Sequence, residues 1–600
     1  MPARRSWIAL RRTIRRIVHH TDPKERIARG VAAGFFATAF PLPGLQIPLS
    51  LLCAFAVNGN RFVSIFPQFL SNTLTVLPIA YLEFRIGAWF RPGTSGDLDG
   101  VYAALARALG QWNWTAPFDS IGNCVQALGI ELLAPLFLGV LLLGVALAVL
   151  SYPLTILSVF MWRRRRFLRN GKSYGHLPFL LEAPPATTAL EAKARYALHK
   201  IPFERAEKLQ LLVNGREAFP EMLRAIDGAR SSVDLESYIL RFDKTGERFK
   251  LALCAAAQRG AQVRVIYDFI GSLGLPQAYI DALRAAGVSV AVYHPFRGWR
   301  RIWSLNRRTH RKILVVDGQV AFTGGLNIAD DYAAVEDGGK GWRDTHLRVD
   351  GPAPALALAH LFQFTWRRAH KFPPDPKAQE PKPPHRWMPT QVLEHVRENR
   401  ESKRQARLQA EKDARLPPAL EVQVLGNREF RKRHLIRLAY LHAINRARHS
   451  ILIENAYFIP DRGVQRALAR AVKRGVEVAV CVARNSDVEL AAQAGRALYA
   501  DILHKGVRLF EWPEGMLHAK TAVIDGAWSI VGSYNFNQRS LLHDLEAVVV
   551  TCDPAFSRRL FEQTQADIAR CTELRPEVHD VRALTQILLQ TFCFQFRHWL

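Results

Sequence analysis

The sequence predicts an α/β protein made of two duplicated halves that form one pseudo-two-fold unit, preceded by an all-α transmembrane region. Three observations carry this reading. The pattern H-x-K, four residues, D occurs at His310–Asp317 and again at His518–Asp525, with the histidines 518 − 310 = 208 positions apart. The stretches before both copies alternate β-branched runs with amphipathic helical segments, the pattern of an α/β fold. Long apolar stretches are confined to the N-terminal part of the chain, where they reach the length needed to cross a bilayer.

Taken in order, a chain of 600 residues predicts three or four domains. Its formal net charge of +28 calls for an anionic partner, either nucleic acid or anionic lipid headgroups. The seven cysteines form no CxxC pair and no Cys/His cluster, which argues against structural zinc and a disulfide framework and fits a reducing compartment. No metal and no cofactor is expected. Residues 1–175 read as a membrane domain with basic flanks. The first 29 residues are rich in arginine and lack a signal-peptide cleavage site. Val31–Val57 is apolar but broken by Pro41, Pro43 and Pro48, and Phe62–Phe90 carries Asn72, Glu83 and Arg85, so both predict kinked or re-entrant segments. Glu131 opens Leu132–Trp162, the clearest span, which ends at Arg163-Arg164-Arg165-Arg166. Arginine at both ends predicts an even number of crossings of the bacterial inner membrane, with both duplicated halves on the cytoplasmic side. The run Pro41-Leu42-Pro43-Gly44-Leu45-Gln46, the turn Asn58-Gly59-Asn60-Arg61 and Ser71-Asn72-Thr73-Leu74-Thr75 resemble a family of small bacterial membrane domains of unknown function, which implies no chemistry.

Residues 176–207 read as a connector. The first half, 208–372, predicts strands at Leu209–Val213, Ser232–Leu240, Gln262–Asp268 and Val288–Tyr293, with helices at Arg216–Ala229, Phe249–Arg259 and Ala278–Ala286 between them. The second half, 419–575, repeats that order. It predicts strands at Glu421–Leu425, Ser450–Phe458, Glu477–Val482 and Val507–Trp512, and helices at 431–447, 463–474 and 488–504. Glu236 matches Glu454, Gly260 matches Gly475 and Gly287 matches Gly506, at offsets of 218, 215 and 219. Near-constant offsets indicate an internal duplication. The proline-rich and charged stretch 373–418 reads as a solvated linker. The apolar and aromatic tail 576–600 reads either as an amphipathic docking helix or as a segment packed on its own domain.

Side chains at i and i+2 of a strand share a face, so each motif places an imidazole beside an ammonium group. Two such pairs on one phosphorus suffice for phosphodiester exchange. One histidine attacks and becomes phosphohistidine, while the other protonates the leaving alkoxide and deprotonates the incoming alcohol. Lys312 and Lys520 face the non-bridging oxygens. The catalytic set is therefore His310, Lys312, Asp317, His518, Lys520 and Asp525. The two aspartates lie too far along the strand to touch phosphate and are expected to orient neighbours or close the turn. The Gly-rich turns place Gly325, Asn327, Ser533 and Asn535 as phosphate-binding residues. Asp344 and Glu546 are expected to orient the histidines through their second ring nitrogens, with Glu236 and Glu454 in support. His19, His20, His294, His346, His360 and His543 have no repeated partner and are read as ordinary.

The doubled H-x-K-x4-D, each followed by G-G/S-x-N, is similar to the signature of the phospholipase D superfamily. Trp342-Arg343-Asp344-Thr345-His346, Gly351-Pro352, Glu454 to Pro460 and Gly532 to Ser540 resemble bacterial cardiolipin synthases. That resemblance implies transfer of a phosphatidyl group to phosphatidylglycerol with release of an alcohol such as glycerol, through a phosphatidyl-histidine. By the same analogy His310 is the nucleophile and His518 the general acid/base. The expected partners are an anionic phospholipid substrate and a membrane, with no nucleic acid. Hydrolysis of phospholipid, or less favourably of nucleic acid, is the alternative on the same fold.

Overall fold

A computed structural model describes residues 24–42, 45–71, 75–90, 98–110, 117–169, 184–185, 187–198, 201–295, 306–370, 420–427, 434–579 and 583–598 of the protein. These fall into two compact units, Met1–Gly175 and His176–Leu600.

The first unit is helical: α1 (Lys24–Thr38), α2 (Gln46–Ala56), a 3₁₀ segment (Val63–Leu70), α3 (Val76–Trp89), α4 (Leu98–Gly110) and α5 (Pro117–Arg169). The proline-broken stretch 31–57 is thus two helices, and α2 and α3, with 11 and 14 residues, fall short of the ~20 that a full span needs. In α5 the backbone turns out of the helix at Gly129 (φ 64°, ψ 170°). Beyond that kink, Glu131–Val159 is the one described helix long and apolar enough to cross a membrane. Helices α3 and α5 cross at backbone contact. A Cβ at Gly139 would lie 1.7 Å from the Glu83 carbonyl oxygen, and one at Gly87 would lie 1.7 Å from that of Pro135. The basic residues 1–23 and the linker 373–418 lie outside the described residues, as do the side chains of Arg163–Arg166.

The second unit opens with α6 (Ala189–Tyr196) and β1 (Glu204–Arg205). The first half comes next as β2 (Lys208–Val213), α7 (Asn214–Asp227), β3 (Ser232–Ser237), α8 (Lys244–Gln258), β4 (Gln262–Asp268), α9 (Gln277–Ala285), β5 (Ser289–Tyr293), β6 (Ile313–Val316), β7 (Val320–Gly324), β8 (Thr345–Asp350) and α10 (Pro352–His370). The second half repeats it as β9 (Glu421–Gly426), α11 (Leu435–Arg446), β10 (Ser450–Asn455), α12 (Arg462–Lys473), β11 (Glu477–Ala483), α13 (Glu489–Leu503), β12 (Arg508–Trp512), β13 (Lys520–Ile524), β14 (Trp528–Gly532), α14 (Gln538–Leu542), β15 (Ala547–Thr551) and α15 (Pro554–Arg570). β16 (Thr572–Leu574), α16 (Pro576–His579) and α17 (Leu584–Gln595) complete the chain.

The strand orders prove the duplication. One sheet runs β2-β8-β7-β6-β3-β4-β5; the other runs β9-β15-β14-β13-β10-β11-β12, with β1 and β16 added at its edges. In each, the three strands joined by helical crossovers are parallel and the remainder antiparallel. Register is kept too, since Glu236 faces Ile313 and Glu454 faces Thr521, each three residues past the motif histidine. Successive strand residues serve opposite faces. Ile451 and Ile453 pack with Tyr440, Leu468 and Leu498 of the helices on one side, and Leu452 packs with Leu560 and Phe561 of α15 on the other.

One expectation needs correcting and another narrows. The segment read as a connector is folded: α6, capped by Thr188 and Glu191, buries Ala192 and Tyr196 in the core of the second half, and β1 pairs with β9. Asp317 and Asp525 stand at the far end of β6 and β13 from the histidines, both at φ 52° in the left-handed region. The Asp317 carboxylate accepts from the amides of Arg230, Ser231 and Ser232 at 2.7–2.9 Å, and Asp525 accepts from those of Arg448, His449 and Ser450 at 2.7–2.8 Å. Burial alone would raise the Asp317 carboxyl, but its amide donors outweigh that and hold it below the usual range. These hydrogen bonds close the turns before β3 and β10, one of the two roles the sequence left open for the aspartates. Asp525→Ala should destabilise the protein by about 2 kcal/mol, read as a lower unfolding midpoint in detergent, with turnover per folded molecule retained. An unchanged midpoint with lost turnover would return Asp525 to the catalytic set.

Candidate active site

The site lies at the carboxyl ends of β3 and β10, where open α/β sheets bind ligands. Each motif approaches it by pairing with the opposite half. The amide of His310 donates to the Leu545 carbonyl at 2.9 Å, and that of His518 to the Arg343 carbonyl at 2.7 Å. In return Leu545 donates to Arg308 and Arg343 to Met516. Leu545 and Arg343 each precede one of the predicted orienting carboxylates, so this pairing sets where those carboxylates stand.

The carboxylates serve the histidines crosswise. His518 Nδ1 lies 2.7 Å from Asp344 of the first half, and His310 Nδ1 lies 3.1 Å from Glu546 of the second. All four side chains are buried. His310 Nδ1 also faces the Ser533 carbonyl at 3.1 Å, which only accepts, so Nδ1 carries the proton and Nε2 keeps its lone pair. The two couples differ in charge. Burial raises the Asp344 carboxyl, but His518, Lys520 and the Thr345 amide outweigh it and hold Asp344 ionised. Burial pushes Glu546 up to about 7 in spite of Lys312, Ser533 and Ser540. Burial, then the neighbouring lysine, lowers both histidines, His310 well below its ordinary value.

Lys312 and Lys520 both enter the site, each ammonium donating to the carbonyl of its own motif histidine, for Lys312 at 2.8 Å. Burial draws them down to about 7 and about 8. Glu236 and Glu454 lie beneath, accepting from Thr309 and Thr521. Burial raises both carboxyls.

The predicted phosphate-binding residues are largely committed elsewhere. The amides of Gly325 and Ser533 donate to Thr345 and Ala547 at 3.0 Å, within the strand pairing. Asn327 donates to the Tyr332 hydroxyl at 2.6 Å and accepts from the Ile239 amide at 3.1 Å. These bonds tie all three into the surrounding strands and loops. Asn535 is buried with its carbonyl oxygen unpartnered. Gly325 and Ser533 instead shape the carboxylates: Asp344 packs directly on Gly325, while the Ser533 hydroxyl donates to Glu546, as does Ser540 at 2.6 Å.

Two buried arginines escaped the sequence reading. Arg311 donates to the carbonyls of Glu546, Leu361 and Asn427 at 3.2, 2.9 and 2.7 Å. Arg343 pairs with Asp567 at 2.6 Å, donates to the Asp344 carbonyl, and stands 3.6 Å from Glu454. Both come from the first half and hold the second. The signal was in the sequence: the residue between His and Lys is Arg311 in one copy and Ala519 in the other. Rings were missed as well. Tyr238 lies 5.2 Å from His310, and Tyr332 and Trp342 lie 5.2 and 6.0 Å from His518, centroid to centroid. Among the described residues no group of three or more His, Cys, Asp or Glu is arranged to hold a metal ion.

A Cβ added at Gly325 would sit 2.0 Å from Asp344 Oδ1. Gly325→Ala should therefore push Asp344 off His518 and lower turnover by roughly 100-fold or more without unfolding the protein. Ser533→Ala, which adds no atom, should cost on the order of 10-fold or less. Comparable activity for Gly325→Ala and the native chain would mean that Asp344 does not position His518.

Residues 222–337 and 440–568 match the family described as "Cardiolipin synthase, PLD-like domain", and residues 9–167 match "Uncharacterized protein conserved in bacteria (DUF2062)". Cardiolipin synthase A of Pseudomonas syringae pv. syringae is 31% identical over 415 residues, covering 68% of this chain and 79% of the relative. The cardiolipin synthase of Geobacillus thermodenitrificans is 30% identical over 391 residues, covering 63% and 72%. Phosphatidylserine synthase of Haemophilus influenzae superposes with a TM-score of 0.50 at 15% identity, over 68% of this chain and 97% of that one, and shows the shared fold. With both motifs folded into one site and 31% identity across most of a cardiolipin synthase, the chain belongs to the cardiolipin synthases of the phospholipase D superfamily and is an enzyme of the phosphatidyltransferase type.

Proposed function

We propose that this enzyme transfers a phosphatidyl group from one phospholipid to the headgroup hydroxyl of phosphatidylglycerol, releasing glycerol when phosphatidylglycerol is also the donor. The observation that carries the reading is the crossed pairing of two buried histidines with carboxylates, flanked by two lysines. In the first step His310 Nε2 attacks phosphorus as the bond to the headgroup oxygen breaks, and His518 gives that oxygen a proton. In the second, the incoming hydroxyl passes its proton to His518 and attacks phosphorus, and the phosphorus–nitrogen bond of His310 breaks. Ionised Asp344 favours an imidazolium at His518, which suits the acid/base role. His310, held against a carbonyl and a carboxyl of raised pKa, keeps the free lone pair of a nucleophile. Lys312 and Lys520 hold the non-bridging oxygens.

The setting is the bacterial inner membrane, entered through a multi-pass N-terminal domain, with both halves on the cytoplasmic side. Glu131–Val159 and the arginine runs at both ends of the membrane domain support this. Anionic phospholipid accounts for the positive charge, and nucleic acid is not a partner.

Purified full-length protein in mixed micelles should convert phosphatidylglycerol into cardiolipin with release of glycerol. His310→Ala and His518→Ala should each lower that rate by roughly 1,000-fold or more. Phosphatidic acid as the main product would make water the acceptor and overturn the transferase reading.

A further inference from the structure

The C-terminal helix α17 resolves an alternative left open by the sequence, because it packs on its own domain and still keeps an apolar face uncovered. Ile587, Cys593 and Phe594 are buried; Cys593 and Phe594 join the core of the second half. On the other side Leu589, Phe592 and Phe596 are 52%, 61% and 40% exposed. Their spacing of three and four residues places them in one stripe, and the Phe592 and Phe596 rings touch at 5.2 Å. Three large apolar side chains in a row facing solvent cost free energy unless something covers them.

The stripe stands beside the active site. Helix α17 packs along α13, and the 3₁₀ turn that carries Phe596 reaches both α13 and α14. Helix α14 bears Ser540, which donates to Glu546 of the His310 couple. Helix α13 begins just after Asp487, which accepts from the Tyr457 hydroxyl, and the Tyr457 ring lies 6.3 Å from His518. The start of α13 adds its N-cap Val488 and Leu490, 41% and 40% exposed. An apolar ridge thus runs up to elements that support both histidines.

We propose that this ridge is a bilayer-docking surface, which inserts into the interface of an anionic leaflet beside the active-site mouth. The occupant follows from the chemistry. A phosphatidyl donor has its phosphate at the two histidines while its acyl chains stay in an apolar phase, so the leaflet must lie against the rim of the site. The ridge is exposed apolar surface on elements that adjoin those supporting the two histidines. The net charge of +28 complements an anionic leaflet. The proposal rests on the reading of the substrate as a membrane phospholipid. It differs from anchoring by the N-terminal unit, because it positions the site and does not merely tether the chain.

The test uses the full-length chain and two forms of one substrate: long-chain phosphatidylglycerol in nanodiscs that hold the enzyme, and short-chain phosphatidylglycerol below its micelle concentration. The Leu589→Asp/Phe592→Asp double variant should lose on the order of 10-fold or more in kcat/KM on the bilayer substrate, while its rate on the dispersed substrate stays within about two-fold of the native chain. Equal loss on both substrates would mean the face is structural and overturn the proposal, as would no loss on either. A drop in particle mass for the variant would show the ridge to be an interface between copies of this chain, and would also overturn it. Failure of the native enzyme to turn over either substrate would instead reject the substrate reading itself.

Discussion

Everything in the catalytic unit depends on the crossed hydrogen bonds between each histidine and a carboxylate of the other half. His518 with Asp344, and His310 with Glu546, tie the two sheets at the point where the two motifs meet. Neither half contains a working couple by itself. The backbone makes the same exchange one residue earlier, where the motif amides donate to Arg343 and Leu545. A shift of the halves by one residue would therefore break the strand pairing and both couples together. This is how a duplicated fold yields one site instead of two.

The duplication is symmetric in its strands and asymmetric in its charges. One position differs as Gly325 and Ser533, with Asp344 packed against the first and Glu546 hydrogen-bonded by the second. One couple keeps an ionised carboxylate and the other a carboxyl raised to about 7, both by arrangement of neighbours around buried groups. Such a difference supports the proposed division of an otherwise matched pair into nucleophile and acid/base. Arg311 and Arg343 extend the asymmetry, because both first-half arginines reach into the second half, where they meet carbonyls and Asp567. Removing a partner from a buried charge of this kind typically costs about 3–5 kcal/mol, so the interface has little freedom to slip.

Much of this was legible in the sequence because it is carried by local pattern. Strands such as Gln262–Asp268 and helices such as 463–474 show their periodicity, and the repeated H-x-K, Glu236/Glu454 and the glycine landmarks give the duplication. Asp344 and Glu546 read from the sequence as partners of the histidines, but the sequence does not say which histidine each would meet, since that depends on how two sheets pack. The partners of the turn residues were not legible for a related reason. A Gly or Asn after a strand reads as a phosphate donor until tertiary pairing is known, and here Thr345, Ala547, Tyr332 and Ile239 take those groups. The motif aspartates read from the sequence as too distant for phosphate, and three amides from a turn more than seventy residues away occupy each carboxylate.

A composite site that passes the phosphatidyl group through a single histidine must carry that group covalently between its two steps. Acid-free quenching of the enzyme with radiolabelled phosphatidylglycerol, followed by proteolysis, would catch it there. Label should appear on the peptide that contains His310 and be absent in His310→Ala, while His518→Ala, which loses the proton donor of the first step and the acceptor of the second, should form and discharge it more slowly. Label on the His518 peptide would reverse the assigned roles. Cardiolipin formation with no labelled histidine in any variant would rule out the covalent route altogether.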